Sequence, residues 1–256
     1  IRTSYLVGMV LCVAWYHTTL MHPGETRLEL TIAQHYTWIG LKPACVQAVK
    51  ACPICKIAKK RDGINYGIIP PKPNPEIIPW HTLCIDLIGP YDFGPKMIGK
   101  KPNPNHIQLH CLTMIDPATG FFEVCEIGRK QADYVANHLE MHWLTRYPWP
   151  TKITMDKGTE FAAEVSETLK SEYGITRKVI TSRNPQSNSI IERCHQTFGN
   201  MIRTAQRRDK RDLDPVFGFQ GLLLSCCKAM NSTVHTAVRA TPSQLVFGRD
   251  AMLNAS

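Results

Sequence analysis

The stretch Thr151–Phe161, "TKITMDKGTEF", runs apolar and β-branched as far as Asp156 and breaks at Gly158. Its alternation reads as a buried strand, and an ionised carboxylate at the end of such a strand is costly unless something pairs with it. An aspartate there often does no chemistry: it caps the following helix or closes a turn. A catalytic reading therefore needs partners elsewhere in the chain.

Two partners stand out. The strand "HTLCIDLIGPY" (81–91) carries Asp86 at its centre, flanked by apolar residues, and the helix in "NPQSNSIIERCHQTFGN" (184–200) carries Glu192. Along that helix Ile191, Cys194, Phe198 and Ile202 mark an apolar stripe, while Glu192, His195, Gln196 and Gly199 fall on the neighbouring face. Two strand aspartates and one helix glutamate can hold two Mg²⁺ ions about 4 Å apart, an arrangement suited to phosphoryl transfer. Taken singly, each of the three would pass for an ordinary surface acid.

The chain has 256 residues, 43% hydrophobic, enough for one large domain or two modest ones. A net charge of +9 favours a polyanionic partner, nucleic acid or an anionic surface. The apolar run "YLVGMVLCVAWY" (Tyr5–Tyr16) falls short of the ~20 residues needed to span a bilayer, so no membrane role is expected, and the run reads as a buried strand or helix. The chain begins at Ile1 rather than Met and is expected to be a piece of a longer precursor. Ten cysteines scattered over a chain with ample apolar core read as reduced thiols, with Cys12, Cys45, Cys84, Cys111, Cys125 and Cys194 as small core residues. Cys226 and Cys227, in "GLLLSCCKAM", belong to a buried helix.

Three segments are expected. Residues 1–60 form a small helical domain, with helices over "ETRLELTIAQHYTWIG" and after Pro43. Five prolines between Pro70 and Pro79 make a stiff linker, placed at 61–77. From 78 to 256 strands give way to alternating β and α elements: a hairpin through the turn "DPATG" (116–120), and an amphipathic helix with Ala132, Val135, Leu139 and Trp143 on one stripe. Then come the opening strand, the helix "EFAAEVSETLKSEYG" stopped by Gly174, the strand "TRKVITSR", and a long helix from about Ser189. The fold class is α/β, a mixed sheet flanked by helices. "GPKMIGKKPNPN" (94–105) reads as an exposed loop.

The first segment holds four metal ligands in order: His17 and His22, then Cys52 and Cys55. Two imidazoles and two thiolates close a tetrahedral Zn²⁺ site with no open position, which would stabilise a domain too small to be comfortable alone. His35 could in principle replace one imidazole. A second pair, His138 and His142 in "HLEMH", lacks the glutamate directly after the first histidine that a zinc protease needs, and reads as surface histidines.

These residues together resemble a retroviral-type integrase, most closely the integrases of gypsy-type long-terminal-repeat retrotransposons. The resemblance rests on "WYHTTLMHPGETR", "CPICKIAKK", "DKGTEF", "NPQSN", "IERCHQTFGNMIRT" and "TPSQLVFGRD", with 35 residues between Asp156 and Glu192. It implies a zinc-stabilised helical domain ahead of a ribonuclease-H-like core with a mixed five-stranded sheet. It implies further that Asp86, Asp156 and Glu192 hold two Mg²⁺ (or Mn²⁺) ions, trimming the 3′ ends of element DNA and joining them to target DNA. A homo-oligomer bridging two DNA ends, in the nucleus or a virus-like particle, goes with that reading. Met155, Lys157 and Ser189 depart from the usual residues at their positions, and the chain stops after "VFGRD", short of the family's C-terminal DNA-binding module.

Phosphate contacts are expected from Lys56, Lys59, Lys60 and Arg61 beside the zinc ligands, and from Lys157, Asn188, His195, Gln196 and Arg203 around the carboxylates. The competing readings are a non-catalytic DNA-binding or scaffold protein derived from an integrase, and a metal nuclease on the same fold.

Overall fold

The computed structural model describes residues 2–59, 77–93, 97–98, 101–102, 107–128, 131–155, 167, 169–179, 185–207 and 218–250. They fall into two compact units. One contains residues up to 59, the helical residues from Gln196 and the stretch 224–250; the other contains the sheet and its helices up to His195, with residues 218–223.

The helical unit is built from α1 (Arg2–Thr19), α2 (Glu25–Ala33), α3 (Leu41–Ala51) and α4 (Pro53–Ala58). Helical spacing puts Val13, Tyr16 and Leu20 on one face of α1 and its exit, where they meet Leu28 and Ile32 of α2 and Leu41 and Cys45 of α3 in a single core. The expectation that the whole apolar run of α1 would be buried is corrected. Val7, Val10, Leu11 and Trp15 face outward, each more than half exposed, because a lone helix on a small bundle can bury only one stripe. Among the described residues no helix is long and apolar enough to cross a membrane.

Residues 224–250 belong to the same unit. The backbone N–H of Val234 donates to Thr31 Oγ1 at 3.0 Å, and Gln34 and Gln244 exchange side-chain hydrogen bonds. Gln244 also completes a capping box with Thr241 at the start of the short terminal helix Pro242–Phe247. His35, the alternative zinc ligand, is instead committed to Asp250 at 3.0 Å.

The second unit is a five-stranded mixed sheet. Its strands are β1 (Thr82–Phe93), β4 (Ile107–Ile115), β5 (Phe122–Glu126), β6 (Lys152–Met155) and β7 (Thr176–Val179), in the spatial order β5-β4-β1-β6-β7. β4 and β5 run antiparallel to their neighbours, while β6 and β7 run parallel to β1, so β1 sits at the change from hairpin to crossover connections. Between β1 and β4 the segment expected to be a loop pairs with itself, as β2 (Met97–Ile98) and β3 (Lys101–Pro102). Strands of two residues carry no readable alternation.

Two aspartates on this sheet have opposite tasks. Asp116, fully buried in the β4–β5 turn, accepts hydrogen bonds from the Trp80 and Ala118 amides and from the Thr119 hydroxyl. It thereby pins Trp80 into an aromatic cluster with Phe121, Trp143 and Tyr147. Asp86 sits at the point along β1 where the first buried run ends: Thr82–Ile85 are buried, and the strand is half-buried or exposed from Asp86 until Phe93 is buried again. Beyond it the pairing with β4 is irregular between Ile88 and Tyr91. Gly89 lies there at φ +115°, where a Cβ would stand 2.7 Å from the Leu109 carbonyl oxygen, so no larger residue fits without a shift.

Helix α5 (Ala132–Leu139) covers the sheet with Ala132, Val135 and Leu139, as its stripe predicts. It continues as a π turn, Glu140–Leu144, which keeps Trp143 buried. Its marker is the hydrogen bond from the Thr145 amide to the Glu140 carbonyl, five residues back. The helix expected over 160–173 is described only at Glu167 and 169–173. There Leu169 is buried and Gly174, at φ +67°, ends it with the Ile175 amide returning to the Leu169 carbonyl. The long helix α6 (Pro185–Arg207) begins four residues earlier than expected, with Pro185 at its first position.

Candidate active site and metal centres

The four expected zinc ligands converge. His17 lies in the last turn of α1, His22 in the turn that follows, Cys52 at the N-cap of α4 and Cys55 within it. Met21 and His22 both adopt left-handed backbone (φ 56° and 62°), a strained choice for residues with side chains. It is what swings the His22 ring back onto His17: the His22 amide donates to the His17 carbonyl at 2.8 Å, and the rings meet edge to face.

The ligand atoms His17 Nε2 and His22 Nδ1 lie 3.0 Å apart, Cys52 Sγ is 3.4 Å from His22 Nδ1, and Cys55 Sγ is 3.3 Å from His17 Nε2. Tetrahedral Zn²⁺ with ordinary bond lengths sets its ligands about 3.3–3.8 Å apart, so the donor set fits zinc after a slight opening of the imidazole pair. His17, His22 and Cys55 are buried. Burial, helped by the charge of Lys59, lowers the pKa of His17 to about 4 and keeps the imidazole neutral, as a ligand must be. Burial also pushes the Cys55 thiol up to about 11, so without a cation the pocket favours the protonated sulfur. Zn²⁺ resolves that cost by deprotonating the thiol.

The carboxylate site is open. The Asp86 side chain is 40% exposed. Its Oδ1 accepts the Leu87 amide at 2.9 Å, and its Oδ2 lies 3.7 Å from His195 Nδ1. Thr113, paired with Asp86 across β1 and β4, donates its hydroxyl to the Asp86 carbonyl and stands 3.0 Å from His195 Nε2. Burial lowers the His195 pKa to about 4, so the ring beside Asp86 is neutral at physiological pH. The expected apolar burial of Asp86 is thus replaced by a half-open carboxylate braced by a neutral imidazole.

Through this contact the N-terminal half of α6 is docked on β1. Glu192, one turn before His195, is exposed, while Ile191 beside it is buried. On β6 the parallel pairing with β1 reaches Cys84↔Thr154, two residues short of Asp86 on one strand and of Asp156 on the other. Asp156 lies outside the described residues, as do Lys60, Arg61 and Lys157; of Asn188 only its place in α6 is described. Lys56 and Gln196 are exposed and Lys59 half-buried. Arg203 is committed to the protein, donating from Nε to the Ala58 carbonyl at the end of α4 at 3.3 Å and from Nη2 to Asn200. The bracing role of Thr113 was not read from sequence, since cross-strand register alone places it.

Comparison with known proteins bears directly on the zinc-binding segment. Residues 6–61 match the integrase zinc-binding domain family, a span that includes all four ligands. The chain is 27% identical over 233 residues to the retrovirus-related Pol polyprotein from transposon 412 of Drosophila melanogaster, covering 91% of this chain and 17% of that one. It is 25% identical over 241 residues to the Pro-Pol polyprotein of feline foamy virus (91% and 18%), and 23% over 235 residues to that of simian foamy virus type 3 (91% and 18%). The chain therefore spans less than a fifth of the length of these curated relatives.

Among solved structures it resembles a chain of the simian T-cell lymphotropic virus intasome in complex with PP2A regulatory subunit B56 gamma (TM-score 0.59, 15% identity, 95% of this chain and 76% of that one). It also resembles the catalytic core domain of BIV integrase (TM-score 0.50, 18% identity, 66% and 95%). The sheet and its helices share the fold of these integrase structures, and the segment that carries the four zinc ligands matches the integrase zinc-binding domain. These likenesses support reading the chain as a retroviral-type integrase.

Proposed function

We propose that this integrase processes the 3′ ends of a mobile element's DNA and joins them to target DNA, with Asp86, Asp156 and Glu192 as its catalytic carboxylates. The observation that carries the reading is the docking of α6 on β1 through His195 and Asp86, which sets Glu192 one helical turn from an open carboxylate on the central strand. Carrying the β1–β6 register two residues further would set Asp156 beside Asp86. Oxygen donors at a solvent-facing sheet end suit Mg²⁺ or Mn²⁺, which when bound would supply an activated oxygen nucleophile and stabilise the leaving oxygen.

The chain's own part is positioning. The Leu87 amide holds the Asp86 carboxylate from one side and the His195 ring stands 3.7 Å away on the other, and because burial keeps His195 neutral, the carboxylate's full charge stays available to a cation. The net charge of +9 supports a DNA substrate, with Lys56 and Lys59 next to the zinc cluster among the residues that would meet phosphate. An origin in a gypsy-type retrotransposon rests on the sequence motifs; the relatives include both a transposon and foamy viruses. A homo-oligomer on paired DNA ends, acting in the nucleus or a virus-like particle, completes the proposal.

The test is an assay with duplexes carrying the element's ends and Mg²⁺ or Mn²⁺. Joined product from zinc-loaded protein supports the proposal. Hydrolysis without joining would point to a nuclease, and DNA binding without either product to a scaffold.

A further inference from the structure

The pair set aside in the sequence as surface histidines is not at the surface. His138 and His142 are half-buried, and a ring nitrogen of each lies with the Cys125 sulfur in a group whose ligand atoms are all within 4.8 Å of one another. Cys125 comes from β5 and is 6% exposed, while the histidines come from the last turn of α5 and the π turn that extends it. Their imidazoles are parallel, 5.7 Å between centroids and 10° between planes, so the two rings are presented side by side to the strand. None of these three residues belongs to the helical unit or to the carboxylate site.

A second observation points the same way. His138 Nδ1 is buried and has no hydrogen-bond partner, an unfavourable state for a polar atom that coordination to a Lewis acid would relieve. The nearby charges are already engaged: Glu123, two residues before Cys125, accepts the Tyr147 hydroxyl at 2.5 Å and faces Arg146 at 3.8 Å. That leaves a thiol and two imidazoles as the donors that converge.

We propose that Cys125, His138 and His142 form a second transition-metal site, a three-ligand site for Zn²⁺ or a similar borderline-soft divalent cation, with one coordination position left for water or an added ligand. One thiolate and two imidazoles are donors zinc accepts, and their ligand atoms, all within 4.8 Å of one another, stand near the roughly 3.3–3.8 Å spacing of a tetrahedral shell. Burial lowers the pKa of both histidines, so they are ready as neutral ligands. Burial pushes the Cys125 thiol up to about 12; on binding, the S–H bond breaks, the sulfur keeps the electron pair for the metal and the proton passes to solvent. The bound ion would tie β5 to the end of α5.

The test uses the full chain with its His17–His22–Cys52–Cys55 site filled by zinc, titrated with Co²⁺. The site predicts a thiolate-to-cobalt absorption band that saturates at about one equivalent of Co²⁺ per chain with release of a proton, whereas Co²⁺ on the carboxylates gives no such band. Cys125→Ser should abolish the band, and His142→Gln should weaken binding by about tenfold or more. Both variants, zinc-filled and without Co²⁺, should keep the wild-type melting curve, which separates loss of a ligand from loss of fold. Absence of the thiolate band in the wild type, or an unchanged band in folded Cys125→Ser, would overturn the site.

Discussion

The helical unit and the sheet unit present their candidate metal ligands in opposite ways. In the first, His17, His22 and Cys55 are buried and the four ligand atoms all lie within 4.8 Å of one another, the thiol and imidazole contacts of His17 and His22 as close as 3.0–3.7 Å. In the second, Asp86 is 40% exposed, Glu192 fully on the surface, and the supporting groups, Thr113 and His195, stand behind the carboxylate. A closed shell of soft ligands leaves no position for a substrate and can only hold the fold together; an open set of hard ligands holds little but can admit a phosphate. The same contrast appears within the sheet, where buried Asp116 spends its carboxylate on a turn and Asp86 does not.

The contrast breaks first at the closed site. Chelation, or Cys55→Ser, should release zinc and melt α1–α4, since structural zinc of this kind contributes about 10 kcal/mol or more of apparent binding energy. Loss of α-helical circular dichroism with zinc content is the check; a bundle that stays folded without metal would show its core of Val13, Tyr16, Leu28 and Ile32 to be sufficient.

Next comes the pair of aspartates. Asp116→Ala strands the Trp80 and Ala118 amides and should cost about 2–4 kcal/mol in urea unfolding, while joining per folded molecule stays near wild type. Asp86→Asn should do the reverse. His195→Ala removes a brace rather than a ligand: joining should fall about 10–100-fold with zinc content and melting unchanged, and weaker activation by Mg²⁺ would show that the loss acts through Asp86.

The smallest effect is acid sensitivity. Folding lowers the pKa of His17 from 6.5 to about 4, so as pH falls through that window the unfolded chain takes up a proton that the folded chain refuses. Stability is therefore present above the unfolded value and lost toward pH 4, and zinc on the same nitrogen adds to the trend. Melting temperature should fall steadily between pH 7 and 5; a flat profile would mean that His17 is not held neutral.

Much of this was legible in the sequence, for reasons that differ by element. The zinc ligands were readable because each pair is close in sequence and the chemistry is specific. β1, β4 and β5 were readable as β-branched or aromatic runs, and the stripe Ala132–Val135–Leu139–Trp143 by period, even though its last residue stands on a π turn that the period does not reveal. The early start of α6 had a signal that went unused, Pro185 at the first helical position. The exposed side of α1 had none, because an apolar run does not say how many neighbours will cover it. Cys125 meeting His138 and His142 could not be read either, since a strand and the far end of a helix are brought together only by topology.

The most direct test of the central claim compares wild type with Asp86→Asn, Asp156→Asn and Glu192→Gln in one joining assay, with DNA binding and zinc content measured on the same samples. The account predicts that all three variants keep zinc and bind the element-end duplex while losing both 3′ processing and joining. Joining that persists in any one of them would remove that residue from the metal site and contradict the three-carboxylate centre.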